Sequence, residues 1–310
     1  MNWHILGGGA IGLLWAFKLS QAGHQVTVIV RDHSAREQLR ANGLHIISAK
    51  AKKTLTQLRY VAPSQAETIS HLLVTTKSYQ SVAAIQQIQS CLEEGAHVVL
   101  LQNGMGQHEE VAQLCKQQTV YAVTTTDGAF KEAAARVVWA GVGETLIGRF
   151  SGTSDERLFE DIPDVAVVDN ILQQLWCKVA INAAINPLTA LHDCRNGDLV
   201  RRAELRQKMA AVCEEVEKIA AALAQPLFRE GLFARACAVA QATAQNYSSM
   251  HQDIHHKRQT EIEYMTGFLC RKADDLGLEV PVNQYLYQQV KCLESASDVG
   301  QGVQFTRGGR

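Results

Sequence analysis

Among the eight cysteines, at positions 91, 115, 177, 194, 213, 237, 270 and 292, there is no C-x-x-C pair. Scattered thiols fit a reduced, cytoplasmic protein better than a disulfide frame or a zinc site. Charge of one sign is missing too: 30 Lys and Arg stand against 31 Asp and Glu, a net charge of −1. That balance argues against nucleic acid or an anionic membrane surface as a partner. No apolar run reaches the roughly 18 residues a spanning helix needs, so no membrane segment is expected. Strand-like sequence begins a few residues past Met1, which leaves no room for a signal peptide. No repeat or low-complexity tract appears. What remains is 310 residues, enough for two domains with their own cores. The expected partner is a small molecule, and association into a homodimer is left open.

The first positive signal is Gly7-Gly8-Gly9-Ala10-Ile11-Gly12. A short apolar strand leads into this G-x-G-x-x-G, and an apolar helix follows it. That context is what a dinucleotide-binding turn needs. Gly7 allows the tight turn, Gly9 lets a pyrophosphate approach the backbone, and Gly12 lets the helix pack on the strand. The helix N-terminus offers N–H groups and positive dipole to phosphate. A second strand, residues 26–30, ends at Arg31. An NAD site usually has Asp or Glu there for the ribose 2′-hydroxyl, whereas Arg suits the 2′-phosphate of NADP. Asp32 is the complication, because a shift of one residue would swap the answer.

Strand patterns recur at 43–48, 55–61, 71–76, 97–101 and 120–126, with helical patterns at 80–90 and 107–117. Residues 137–140 and 145–149, split by Gly141-Val142-Gly143, predict a hairpin. Alternating strands and helices imply an α/β, Rossmann-type doubly wound sheet. Residues 151–164 read as polar surface near its end. Ligands of such sheets lie beyond the carboxyl ends of the strands. Lys77 and Asn103-Gly104-Met105-Gly106 fall there, the alternatives being an ordinary solvated lysine and a turn-forming or helix-capping asparagine. From 170 on the patterns are helical, at 170–192, 198–224, 229–246, 249–276 and 282–294, with breaks near Pro226, Gly277 and Pro281. The expected domains are therefore 1–169, a cofactor domain, and 170–310, an all-helical C-terminal domain. The glycine-rich end, 300–310, is expected to fray.

Within the helical part, Lys178, Asn182 and Asn186 are spaced four apart in an apolar run. At about 100° per residue they fall within roughly an 80° sector of one helix face. Burying an ammonium and two carboxamides costs free energy without partners. They are either core amides bonded to neighbouring backbone or a site.

With these pieces in place, the chain resembles the ketopantoate reductase (2-dehydropantoate 2-reductase) family over nearly its full length. The likeness is carried by the glycine motif, Thr76-Lys77, Gln102-Asn103-Gly104-Met105-Gly106 and Leu175-Trp176-Cys177-Lys178-Val179-Ala180-Ile181-Asn182. It continues through Ile185-Asn186-Pro187-Leu188-Thr189-Ala190, Asn196-Gly197, Ser248-Ser249-Met250-His251-Gln252-Asp253 and Thr260-Glu261-Ile262-Glu263-Tyr264. The resemblance implies an NADPH domain, a helical domain, a cleft between them, and reduction of 2-dehydropantoate to (R)-pantoate on the route to coenzyme A. It makes Lys178 the proton donor and Asn182, Asn186 and Asn196 substrate-contacting amides. Ser249 becomes the carboxylate-binding serine, with Met250, His251 and Gln252 in the same binding segment. Glu261 becomes the acid near nicotinamide and substrate, while Lys77, Asn103 and Ala129 become cofactor contacts.

These residue types suit the chemistry. Adding hydride to a ketone leaves negative charge on its oxygen, and a partly buried ammonium supplies both a cation and a proton. Ser249 also suits a helix N-cap, and Glu263 offers the same group as Glu261. His251-x-x-x-His255 is ordinary helix spacing, and no metal is expected. Two rivals remain: a related NADP-dependent reductase of another 2-oxo or hydroxy acid, and a non-catalytic NADPH-sensing protein. The latter would not need Lys178 and Glu261 together.

Overall fold

The computed structural model describes residues 1–48, 52–55, 58–153 and 155–299. The chain divides into two compact units, Met1–Leu175 and Trp176–Arg310.

In the first unit the strands are β1 (Asn2–Leu6), β2 (Gln25–Ile29), β3 (Leu44–Ser48), β4 (Lys52–Leu55), β5 (Arg59–Val61) and β6 (Ile69–Val74). They continue as β7 (Leu92–Leu100), β8 (Thr119–Thr125), β9 (Gly128–Ala133), β10 (Arg136–Gly141), β11 (Thr145–Ser151) and β12 (Val165–Val167). Helices α1 (Ala10–Gln21), α2 (His33–Asn42), α3 (Ser81–Gln86) and α4 (Gln107–Leu114) connect them. The main sheet has the order β12-β11-β8-β7-β6-β1-β2-β5. It is parallel except where β11 runs against β8. This is the expected doubly wound α/β sheet.

A second, four-stranded sheet, β4-β3-β10-β9, goes beyond the single sheet that the sequence patterns imply. It explains two corrections. The strand predicted over 55–61 is two strands in different sheets, β4 and β5, and positions 56 and 57 between them lie outside the described residues. The hairpin predicted between 137–140 and 145–149 does not form: β10 pairs with β9, and β11 pairs with β8. The true hairpin is longer, 119–133 against 136–151, and it crosses from one sheet to the other at its middle. Gly143 sits at that crossing, where a Cβ would lie 2.2 Å from the Thr126 carbonyl carbon. Within the supposedly polar stretch 151–164, Leu158, Phe159 and Ile162 are buried.

Helix α1 packs against β1 and β2 on one side and against β3, β9 and β10 on the other. Its residues Gly12 to Leu19 are all buried, as expected of a helix apolar on every face. Lys18 is the exception in chemistry. Its ammonium pairs with Asp127, at the strand crossing, and lies 5.0 Å from the centroid of the Trp139 ring. Asp127 also accepts from Trp139 Nε1 and from the Gly143 amide, each at 3.0 Å.

The second unit is helical: α5 (Ile171–Leu191), which begins in the first unit, then α6 (Asp198–Arg201), α7 (Ala203–Ala222), α8 (Leu232–Ala242), α9 (Ser249–His255), α10 (Thr266–Leu276) and α11 (Pro281–Val299). The single pattern predicted over 198–224 is interrupted at Arg202, which is extended. That over 249–276 breaks at 256–261, because the Thr260 amide and hydroxyl both turn to Glu294 Oε1 at 2.7 Å instead of continuing a helix. Gly277 ends α10 in the left-handed conformation and Pro281 opens α11. Buried Glu215 on α7 caps α11, accepting from the amides of Val282 and Asn283 at 2.9 Å each. The stretch 300–310, expected to fray, lies outside the described residues.

Candidate active site

Strands β7, β6, β1 and β2 are consecutive neighbours in the sheet and parallel. The segments that follow their carboxyl ends carry Asn103, Lys77, the glycine turn and Arg31. Topology therefore gathers these residues past one edge of one sheet, the usual ligand position in open α/β folds.

The glycine turn is shaped for a phosphate. Gly7 has φ +124°, and Thr75 Oγ1 donates to its carbonyl at 3.1 Å. A Cβ on Gly12 would lie 2.2 Å from that same carbonyl oxygen, so only glycine fits. A Cβ on Gly9, which caps α1, would meet nothing within 4 Å. The space above Gly9 is open, the α1 amides face it, and no acidic residue occupies the first turn. Those features suit a dinucleotide. Asp32 is committed elsewhere: its carboxylate accepts from the Ala35 amide at 3.0 Å and caps α2. Arg31 is exposed and has no partner among the described residues. Lys77 and Asn103 are half-buried, and Gly104 (φ +90°) and Gly106 (φ +107°) bracket buried Met105. Ala129 lies in β9, opposite Trp139.

In the second unit, α5 carries the ladder. Val179, Ala180, Ala183, Ala184 and Leu188 are buried around it. Lys178 is half-buried, and burial pushes its ammonium pKa down to about 8, with the Glu261 charge pulling it back up. Asn182 is half-buried, and its carboxamide has no partner among the described residues. Asn186 is buried and donates only to Met265 Sδ, at 3.8 Å. Neither amide bonds to neighbouring backbone, so the core-amide explanation has no support. Glu261 and Glu263 are now distinguishable. Glu261 is buried and acts on Lys178, whereas Glu263 pairs with Arg271 and accepts from the Tyr287 hydroxyl.

The N-cap of α9 is Ser248, not Ser249: its hydroxyl accepts from the His251 amide at 3.1 Å and from Thr189 Oγ1 at 2.7 Å. Exposed Ser249 is thereby left uncommitted among the described residues. Met250 is buried, Gln252 is half-buried, and His251 Nε2 bonds Asp193 Oδ1 at 2.7 Å while its ring stacks on Tyr247. Asn196 is the outlier. Its amide nitrogen donates to Thr243 Oγ1 at 2.9 Å, which ties down the 243–246 turn. Its Oδ1 is buried without a partner, the one atom of that side chain left for a ligand. Thr189, which holds the Ser248 cap of α9 and donates to the Asn186 carbonyl, and Met265, whose sulfur accepts from the Asn186 amide, are not marked by the sequence patterns. Thr189 lies one turn beyond the ladder, and that spacing was the available signal.

Comparison with known proteins gives a consistent result. The family model described as ketopantoate reductase PanE/ApbA matches residues 3–152, and its C-terminal counterpart matches 170–294. A 2-dehydropantoate 2-reductase of Vibrio cholerae is 37% identical over 96% of this chain and 99% of that protein. The crystal structure of a PanE/ApbA family ketopantoate reductase from Ralstonia eutropha superimposes with a TM-score of 0.89 at 26% identity, over 96% of this chain and all of that one. A D-mandelate dehydrogenase with NADH and anilino(oxo)acetate shares the fold, with TM-score 0.88 at 23% identity over 96% of this chain and all of that one.

Proposed function

The chain belongs to the ketopantoate reductase family, and on that premise we propose that it reduces 2-dehydropantoate to (R)-pantoate with Lys178 as proton donor. It is an NADP-dependent oxidoreductase, and bound NADPH supplies the hydride. Residues 7–12, Arg31, Lys77, Asn103 and Ala129, in domain 1–169, hold the cofactor, and Glu261 contacts it as well. Lys178, Asn182, Asn186, Asn196, Ser249, Met250, His251 and Gln252, in domain 170–310, hold the substrate. All eight cysteines are free thiols, which supports a cytoplasmic location.

The observation that carries the proposal is the state of Lys178. A pKa of about 8 keeps the ammonium largely charged at neutral pH yet brings it near the operating range of a general acid. Asn182 and Ser249, uncommitted among the described residues, can orient the substrate without adding charge, and the ammonium meets the charge developing on oxygen. Because Glu261 raises the Lys178 pKa, Glu261→Gln is expected to move the alkaline limb of kcat/KM to lower pH. Glu263→Gln is expected to leave that limb in place. A limb unmoved by Glu261→Gln would show that the two groups do not act together.

Arg31 tests the cofactor assignment. Arg31→Ala should raise the KM for NADPH roughly ten- to hundredfold, the loss of about 1.5–3 kcal/mol for a charge-assisted pair. The KM for NADH should hardly change, since NADH lacks the 2′-phosphate. Equal losses for both cofactors would contradict the role given to Arg31.

A further inference from the structure

Lys131 lies outside the residues assigned to cofactor and substrate. It lies on β9, and its Nζ donates to the Gly8 carbonyl at 3.1 Å, inside the glycine turn. Gly8 packs on Val30, so that a Cβ there would lie 3.1 Å from Val30 Cγ2. The ammonium is thus held on a turn residue that packs against Val30, the residue preceding Arg31 and Asp32, and it feels the Asp32 charge. Although the side chain as a whole is exposed, burial lowers its pKa, and the Asp32 charge opposes that shift. Arg31 and Asp32 together sum to zero, and a phosphate monoester carries about −1.5 to −2 at neutral pH. Arg31 alone would receive that anion in the presence of the carboxylate that caps α2.

We infer that Lys131 is a second cation of the 2′-phosphate subsite, offsetting Asp32 so that Arg31 and Lys131 together recognise a nucleotide phosphorylated on its adenosine ribose. This rests on the NADP assignment above. Lysine binds phosphate as a point charge, while Arg31 supplies the planar fork. The second sheet is what makes this possible, since it brings Lys131 over a turn more than a hundred residues away in sequence.

The test is calorimetric binding of 2′,5′-ADP and of 5′-AMP, which differ only in the 2′-phosphate, to the full-length protein. The wild type should prefer 2′,5′-ADP. K131Q should weaken 2′,5′-ADP by about tenfold or more, the lower end for a hydrogen bond to a charged group, and leave 5′-AMP unchanged. K131R should restore most of the loss, and K131Q should flatten the salt dependence of 2′,5′-ADP binding. Equal weakening of both nucleotides would make Lys131 a brace of the glycine turn and overturn the inference. A wild-type preference that survives intact in K131Q would overturn it while leaving the NADP assignment standing. A wild type indifferent to the 2′-phosphate would remove that assignment, and this inference with it.

Discussion

Replacing Lys178 by alanine is expected to lower kcat by at least about 10²–10⁴-fold, the usual contribution of a positioned general acid. A larger loss is expected if the same ammonium, as proposed, also stabilises charge developing on the carbonyl oxygen. NADPH affinity should barely change, since the glycine turn, Arg31, Lys77 and Asn103 belong to the other unit. The pH dependence gives a second readout with a definite sign. If Lys178 is the acid, the proton-bearing form is the active one, and burial has moved its pKa down to about 8. The kcat/KM of the wild type should therefore fall as pH rises through about 8, well below the range of an ordinary lysine. Lys178→Ala should lack that limb. A variant that keeps near-normal kcat, or that fails only by losing NADPH, would rule out Lys178 as the acid.

The second large effect is on stability. Asp127→Ala should destabilise the first unit by about 3–5 kcal/mol, the cost of breaking a buried pair and leaving one charge uncompensated. The Asp127 side chain is fully buried and Lys18 is 5% exposed, so water cannot replace the lost partner. The same substitution orphans Trp139 Nε1 and the Gly143 amide. Removing both charges together, Lys18→Met with Asp127→Asn, should recover much of the loss, because the penalty belongs to the unpaired charge. Urea unfolding, followed through the transition of the first unit, measures both. A cost below about 1 kcal/mol for Asp127→Ala would mean the pair behaves like a surface salt bridge.

These two predictions mark the boundary of what the sequence carries. The glycine turn and the polar ladder were legible because each is local: Gly7, Gly9 and Gly12 have fixed spacing, and Lys178, Asn182 and Asn186 share a helix face. The Lys18–Asp127 pair spans 109 positions, and nothing near either residue announces the other. The mistaken hairpin has the same origin. Alternation around Gly141-Val142-Gly143 is real, but two strands crossing between sheets look locally like two strands turning back on each other. The helical pattern over 249–276 hid a break because Thr260 is held by Glu294, a distant side chain. Ser248 and Ser249 show the finest limit. Either suits an N-cap, and only the bond from Thr189 on α5 explains how the first is held and the second left uncommitted.

The central claim is most directly tested by following NADPH oxidation with 2-dehydropantoate beside other 2-oxo acids, a phenyl-substituted one included, and repeating the series with NADH. The highest kcat/KM should be for 2-dehydropantoate with NADPH. No NADPH oxidation with 2-dehydropantoate, or a clear preference for another 2-oxo acid, would contradict it.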